Sequence, residues 1–190
     1  LSIRRQRQMC IRDRCFSEVA RVYADGIMGG TSNTTFSPAG TLTRGQVVAM
    51  LYRMAGSPAV TANTTGFSDV DNGAYYADAV KWASGKEIVG GYADGTFAPN
   101  RAITREQLAA ILYRYAKANG ADISVGEDTN LLSYKDFQSV GQYAVPALQW
   151  AVGSGLIGGT TNAMLSPKGT ATRAQAAVIL VRFVGMTAAK

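Results

Sequence analysis

A four-residue motif, Thr-Arg-x-Gln, occurs three times in this 190-residue chain, at residues 43–46, 104–107 and 172–175. Its first and last residues match a helix capping box, in which the Thr hydroxyl accepts from the N3 amide and the Gln side chain accepts from the N-cap amide. The capping pairs are Thr43 with Gln46, Thr104 with Gln107, and Thr172 with Gln175. The motif therefore predicts three helix starts.

The arginines of the motif, Arg44, Arg105 and Arg173, have no such local role. They would lie in the first turn of a helix, where the dipole disfavours a cation by roughly 0.3–1 kcal/mol. One interpretation is a solvated side chain or a local ion pair, for which only copy two offers an acid, Glu106. The other is an anionic ligand, because free helix amides and a guanidinium fork together suit a carboxylate or phosphate. We favour the anion, since a cation recurs three times at an unfavourable helix end.

The motif closes a longer unit that is present in three copies. Residues 29–44, 90–105 and 158–173 align without gaps, at offsets of 61 and 68 residues. Apolar residues at helical spacing before and after each Gly-Gly predict a helix-loop-helix unit, which cannot bury its apolar faces alone. The predicted organisation is repeat 1 at 15–56, a linker at 57–66, repeat 2 at 67–119, a linker at 120–133, repeat 3 at 134–186 and a tail at 187–190.

Two further features recur with the repeat, and each of them is open to two interpretations. The glycine pairs, Gly29-Gly30, Gly90-Gly91 and Gly158-Gly159, allow either a tight turn or the approach of a ligand to the main chain. Trp82 and Trp150, on the first helices of copies two and three, are either core residues or stacking platforms for a sugar, and the core is favoured.

Asp94-Gly95-Thr96 lacks the spacing of a calcium loop and predicts a turn. Tyr52-Arg53 and Tyr113-Arg114 on the second helices favour surface packing.

Composition argues against several classes of function. The chain has no His, and its two cysteines, Cys10 and Cys15, cannot build a structural zinc site alone. It has no nucleophile-elbow motif, no repeated acidic pair and no apolar run of the roughly 20 residues that span a bilayer. We therefore expect no catalysis, no metal, no cofactor and no membrane insertion.

The formal charge of +6 is concentrated at the start of the chain. Residues 1–14 hold five Arg and one Asp, so 14 basic and 12 acidic residues remain for 15–190. The run from Arg4 to Arg14 resembles one reading frame of a transposase-based sequencing adapter, and we interpret 1–14 as non-native. The biological chain would then start near Cys15, truncated at its N-terminus. The small remaining charge argues against nucleic acid as a partner.

The repeated unit resembles the S-layer homology (SLH) domain. Copy two carries the resemblance most fully, from Phe67-Ser-Asp-Val through Ile88-Val-Gly-Gly-Tyr-Ala-Asp-Gly-Thr-Phe to Thr104-Arg-Glu-Gln. Copy three matches with Leu165 in place of the loop Phe, and copy one matches from about Val19. The resemblance covers nearly all of 16–186, in the three tandem copies usual for that family.

The resemblance implies an all-α fold, in which three helix-loop-helix repeats form a pseudo-threefold spindle around a central helical bundle. It also implies a non-catalytic, extracellular anchor, covalently part of a larger surface protein. Its partner would be an anionic secondary cell wall polysaccharide of bacteria, often bearing a pyruvate ketal on a terminal N-acetylmannosamine, bound in grooves between copies. The motif arginines, both tryptophans and the glycine pairs would line these grooves.

The first copy departs from the family pattern, because it lacks its opening and carries Arg21 where the others have Trp. The groove between copies three and one is therefore expected to be defective. A structural module for protein–protein assembly in a surface lattice is the alternative function.

Overall fold

The computed structural model describes residues 15–188. The segment 1–14 that is interpreted as non-native, and the last two residues of the predicted tail, lie outside the described residues. The α-helices are α1 (Phe16–Ala24), α2 (Arg44–Met54), α3 (Ala77–Gly85), α4 (Arg105–Ala118), α5 (Val145–Gly153) and α6 (Arg173–Ala188). The described residues also form four single-turn 3-10 helices, at Ser124–Gly126, Phe137–Ser139, Gln142–Ala144 and Thr161–Ala163.

Between residues 15 and 188 the chain forms no strand, and its extended backbone pairs only in two isolated bridges, Thr43 with Ala102 and Thr104 with Thr170. The expected all-α class is confirmed. No helix in this part of the chain has the length and apolar character needed to cross a membrane.

The second helix of each copy begins at the Thr-Arg-x-Gln motif. Thr43 and Thr104 have extended backbones, and each hydroxyl accepts from the Gln amide three residues on, while the Gln side chain accepts from the Thr amide. The same reciprocal pair joins Thr172 and Gln175, at 3.2 and 3.0 Å. Each box satisfies two backbone donors, and replacing an N-cap Thr by Ala costs about 1 kcal/mol.

The chain divides into two compact units, one of residues up to Gly40 with those from Thr172 onward, the other of Thr41–Ala171. In the first unit α1 packs against α6, and Val22, Met28 and Phe183 are buried. In the second unit α2 packs against α3 and α4 packs against α5. Leu108 and Leu112 of α4 and Leu148 of α5 are almost completely buried, and each such side chain stabilises the fold by about 1.5–3 kcal/mol.

Helix packing inside each unit therefore joins neighbouring copies. The second helix of copy one (α2) packs on the first helix of copy two (α3), α4 of copy two on α5 of copy three, and α6 of copy three on α1 of copy one. This pairing explains how short helices bury apolar stripes that no single copy could cover. The pseudo-threefold spindle stays a prediction.

Candidate functional site

The motif arginine is buried and bound to the loop of the next copy. Arg44 is only 7% exposed, and its guanidinium donates from Nε to the carbonyl of Phe97 at 2.9 Å and from Nη2 to that of Gly90 at 3.1 Å. The same group lies over the rings of Tyr92 and Phe97, at 5.1 and 4.7 Å from their centroids. Arg44 thus joins α2 of copy one to the Gly-Gly loop of copy two.

The other two motif arginines make the same pair of hydrogen bonds. Arg105 donates to the carbonyls of Leu165 and Gly158, at 2.9 and 2.8 Å. Arg173 donates to the carbonyls of Phe36 and Gly29. Both are buried, and burial lowers the pKa of all three guanidinium groups. The sequence interpretation offered only solvent, an ion pair or a ligand, whereas the structure adds bonds to a neighbouring loop.

The ion pair between Arg105 and Glu106, which was part of the less favoured interpretation, is not formed. Glu106 instead lies 2.6 Å from the ammonium group of Lys168. The assumption of free amides at the helix starts is also wrong. The Arg44 and Gly45 amides donate to the carbonyls of Arg101 and Pro99 at 3.0 and 2.9 Å, and α4 and α6 begin with equivalent bonds. The amides at these helix starts are therefore not available to an anion.

The two glycines of each pair have different roles. A Cβ on Gly91 would lie 2.5 Å from Cε1 of Phe67 and 2.7 Å from the carbonyl oxygen of Thr96, so no larger residue fits there without a shift. A Cβ on Gly90 would meet nothing within 4 Å, and it is the Gly90 carbonyl that accepts from Arg44. The first glycine therefore borders open space, and the second allows the loop to close.

Sequence reasoning missed the role of two acids that hold these loops. Asp69 accepts from the amides of Phe97 and Ala98, both at 2.7 Å, and Asp136 accepts from those of Leu165 and Ser166 at 2.8 and 2.7 Å. Ala98 and Ser166 have φ values of +54° and +51°, in a region that costs a non-glycine residue of order 1 kcal/mol. The Asp of each Phe-Ser-Asp or Tyr-Lys-Asp opening thus stabilises the loop that receives the arginine, and its recurrence in two copies was the available signal.

A cleft of about 40 Å³ lies beside Arg44, within the second compact unit. Its lining residues are Arg44, Val89, Gly90, Gln107, Ala110, Ile111, Arg114 and Tyr143. None of them is acidic. Across the residues that the structure describes, the guanidinium of Arg114 forms no hydrogen bond and no ion pair. Its charge and that of Arg101 both lower the pKa of Arg44, after the larger effect of burial.

Arg114 and Tyr143 are functional candidates that the sequence analysis did not select. Arg114 was assigned to surface packing, yet it lines the cleft. Arginine recurs at its position in every copy, as Arg53 and Arg182, at the same offsets of 61 and 68 residues. This recurrence was the signal that could have identified it. Tyr143 corresponds to Tyr75 in copy two, and in the sequence both are recognisable only as recurring residues of the repeat.

The tryptophans do not line the cleft. Trp82 is 8% exposed and Trp150 is fully buried. Trp82 packs between Tyr52 and Tyr115, with ring centroids 5.5 and 6.0 Å away, and Trp150 meets Tyr113 edge-on at 5.7 Å. These contacts favour the core interpretation over a sugar platform.

Two motif residues near the cleft have local roles. Gln107 lines it while capping α4, and its Nε2 also reaches the Tyr92 hydroxyl at 3.4 Å. At the loop tip, Asp94 accepts from the amide and hydroxyl of Thr96 at 3.0 and 2.6 Å, which lowers the pKa of its carboxyl. This geometry is that of a turn.

Comparison with known proteins matches the chain to one protein family and to several curated relatives. The model of the S-layer homology domain family matches residues 13–48, 66–109 and 133–177. An endoglucanase of Bacillus sp. (strain KSM-635) is 35% identical over 165 residues, which are 87% of this chain and 17% of the relative. A cellulosome-anchoring protein of Acetivibrio thermocellus is 27% identical over 150 residues, 77% of this chain and 33% of the relative. A surface-layer 125 kDa protein of Lysinibacillus sphaericus is 28% identical over 164 residues, 84% of this chain and 13% of the relative.

The chain spans a third or less of the length of each of these relatives. The region that the endoglucanase shares with this chain is therefore a small part of that protein.

Proposed function

Because the chain belongs to the S-layer homology domain family, whose members are cell-surface anchoring modules, we propose that it binds an anionic secondary cell wall polysaccharide. The binding is non-covalent and non-catalytic, and it attaches a larger surface protein to the bacterial cell wall. The polysaccharide carries a pyruvate ketal, whose carboxylate is the group recognised. The observation that carries this proposal is the cleft in which Arg44 and Arg114 lie together with no acidic residue in its lining.

Arg44 can bind an anion without leaving its loop. The two carbonyls of Phe97 and Gly90 occupy two of its N–H groups, and a guanidinium has five. The hydrogen bonds from Nε and Nη2 fix the orientation of the planar guanidinium, so the side chain loses less conformational entropy when a ligand binds. A buried cation that is bonded only to neutral carbonyls and aromatic rings also lacks a counter-ion, which a carboxylate would supply.

Arg114 supplies a second charge to the same cleft. Its repulsion of Arg44 contributes to the lowered pKa of that group. A bound carboxylate between two cations would relieve this repulsion, because opposite charges favour the ionised forms. A neutral sugar without the ketal would not relieve the repulsion between the two arginines, so the cleft distinguishes charged from neutral sugars.

Glycan recognition can be tested by co-sedimentation of the 190-residue chain with cell-wall sacculi from a bacterium that makes pyruvylated wall polysaccharide. We expect the chain to sediment with intact sacculi and to remain in solution when acid has removed the polysaccharide. Equal sedimentation with both preparations would contradict the proposal.

The cleft can be tested by replacing its solvent-facing cation. Arg114→Ala should weaken binding to the polysaccharide about 10- to 100-fold, as expected for a charge-assisted hydrogen bond worth about 1.5–3 kcal/mol. Lys117→Ala is the matched control, because it removes one positive charge from the same helix at an exposed position outside the cleft lining. Equal affinities of the two variants would place the glycan elsewhere.

A further inference from the structure

Glu106 is a buried acid found at this motif position in copy two alone. Its side chain is at the second position of α4, and only 3% of the residue is exposed. The equivalent residues of copies one and three are Gly45 and Ala174. All three helices begin with the same Thr and Gln capping pair, so helix initiation does not require this carboxylate.

Three donors from copy three surround the Glu106 carboxylate. Its Oε1 accepts from the hydroxyl of Tyr143 at 3.0 Å and from the ammonium of Lys168 at 2.6 Å. Its Oε2 accepts from the amide of Gly141 at 3.0 Å. These bonds satisfy the buried charge, and they tie the segment from Gly141 to Tyr143 to the start of α4.

A different group fills this space in copy one. A Cβ on Gly45 would lie 3.1 Å from Cδ1 of Tyr76, so that ring occupies the region where a longer side chain would begin. Tyr76 precedes α3, just as Ala144 precedes α5 in the next copy. The carboxylate and the aromatic ring are thus alternative ways of packing the same junction, and only the carboxylate bonds to a tyrosine of the cleft.

Tyr143 is the residue through which Glu106 reaches the ligand cleft. Its side chain lines the cleft with Arg44 and Arg114, and the residue is 52% exposed. Burial, followed by the charge and the hydrogen bond of Glu106, raises the pKa of Tyr143, while Arg44 opposes this shift. The phenol therefore keeps its proton, which points to Glu106, and its oxygen is left as an acceptor.

We propose that Glu106 is a positioning residue that holds Tyr143 at the edge of the cleft, so that the tyrosine oxygen accepts a hydrogen bond from a sugar. The inference rests on the proposed function and makes its ligand more specific. The sugar must place its carboxylate against Arg44 and Arg114 and present a hydroxyl or amide N–H donor to Tyr143. An acidic sugar without such a donor binds less tightly.

The test uses the 190-residue chain with ¹³Cζ-labelled tyrosine, and the methyl glycoside of N-acetylmannosamine carrying a pyruvate ketal as the probe. The NMR signals of Tyr143 and Tyr92 report on this cleft, because Tyr143 lines it and Tyr92 lies against Arg44. The variants are Glu106→Gln, Tyr143→Phe and their combination. Glu127→Gln is the control, since it removes an exposed carboxylate outside the cleft lining.

We expect Glu106→Gln and Tyr143→Phe each to weaken glycoside binding about 3- to 10-fold, as for one neutral hydrogen bond. The double variant should bind no more weakly than Tyr143→Phe, because Glu106 acts through that tyrosine. In Glu106→Gln the pKa of Tyr143 should also fall toward its ordinary value, a change that general stabilisation would not produce. The control should match the unmodified chain in both measurements.

The outcomes separate the two proposals. If the unmodified chain binds the glycoside and Glu106→Gln binds equally well with an unchanged Tyr143 titration, the role of Glu106 is overturned and the proposed function stands. If the unmodified chain shows no response to the glycoside and does not sediment with intact sacculi, both are overturned. If Glu106→Gln does not fold, the affinity of Tyr143→Phe for the glycoside, measured from the NMR signal of Tyr92, tests the inference instead. Unchanged affinity in that variant refutes the inference.

Discussion

The dual role of the motif arginine leads to a quantitative prediction for Arg105→Ala. Arg105 is buried, and its guanidinium is the hydrogen-bond donor to the carbonyls of Leu165 and Gly158. Alanine removes both bonds and leaves two acceptors of the copy-three loop without this partner. If the arginine served only a ligand, the same substitution would leave stability within about 0.5 kcal/mol of the original.

The expected loss follows from these contacts. Each carbonyl that loses its partner costs about 1–3 kcal/mol. The cost is smaller for the Gly158 carbonyl, because Gly158 is exposed and water partly replaces the lost hydrogen bond. Arg105→Ala should therefore lower the free energy of unfolding by about 2–4 kcal/mol. For a chain of this size that corresponds to a fall in Tm of about 5–15 °C.

The measurement is urea unfolding followed by far-ultraviolet circular dichroism. Arg105→Lys should fall between Arg105→Ala and the original chain, because an ammonium keeps the charge but lacks the planar fork that meets two carbonyls together. Arg114→Ala is the control, because among the described residues this guanidinium of the same helix has no hydrogen-bond or ion-pair partner, and it should change stability by less than about 0.5 kcal/mol. Equal stability of Arg105→Ala and the original chain would refute the structural role.

Four further substitutions test the loop and the cleft. Gly91→Ala should lower the free energy of unfolding by about 1–3 kcal/mol in urea titrations because its methyl group would overlap Phe67. Gly90→Ala, which borders open space, should leave stability unchanged, and equal losses for the two would contradict the assigned roles. Asp136→Ala should cost about 1–2 kcal/mol by the same measurement, since two loop amides lose a charged acceptor, and no loss would show that the loop closes without it. Because folding raises the pKa of Tyr143, its contribution to stability is fully present below about pH 10 and is lost as the pH rises. Unfolding measured from about pH 9.5 to 11.5 should therefore show a shallower loss for Tyr143→Phe, and identical slopes would contradict this linkage.

Much of the architecture follows from local sequence rules. Thr104 and Gln107 are three residues apart, which is the spacing that a capping box needs, and α4 begins there. The end of α3 at Gly85 also agrees with a local rule, since glycine favours helix C-termini, but the residue in the left-handed region is Glu87, with φ of +57°. The helical class and the three capped helix starts depend on neighbours in the chain, so they can be predicted without the fold.

The partners of the charged residues could not be predicted in this way. Arg44 bonds to a loop 46 to 53 residues further along the chain, and Glu106 bonds to Tyr143 and Lys168 of the next copy. The sequence marked these arginines as unusual because they recur at an unfavourable helix end, but the only partners it offered were solvent, Glu106 in copy two and a ligand. It also placed Arg114 on an ordinary surface.

By itself, the sequence determined a threefold helical repeat, its capped helices, its shortage of catalytic groups and its resemblance to a family of surface anchors. Only the tertiary structure decided that the motif arginines bind neighbouring loops, that both tryptophans are buried, and that Arg44, Arg114 and Tyr143 share one cleft. The physical reason is how far apart in the chain the interacting residues lie. Caps and periodicity are satisfied within a few residues, whereas burial and hydrogen-bond partners of long side chains are set by packing between copies.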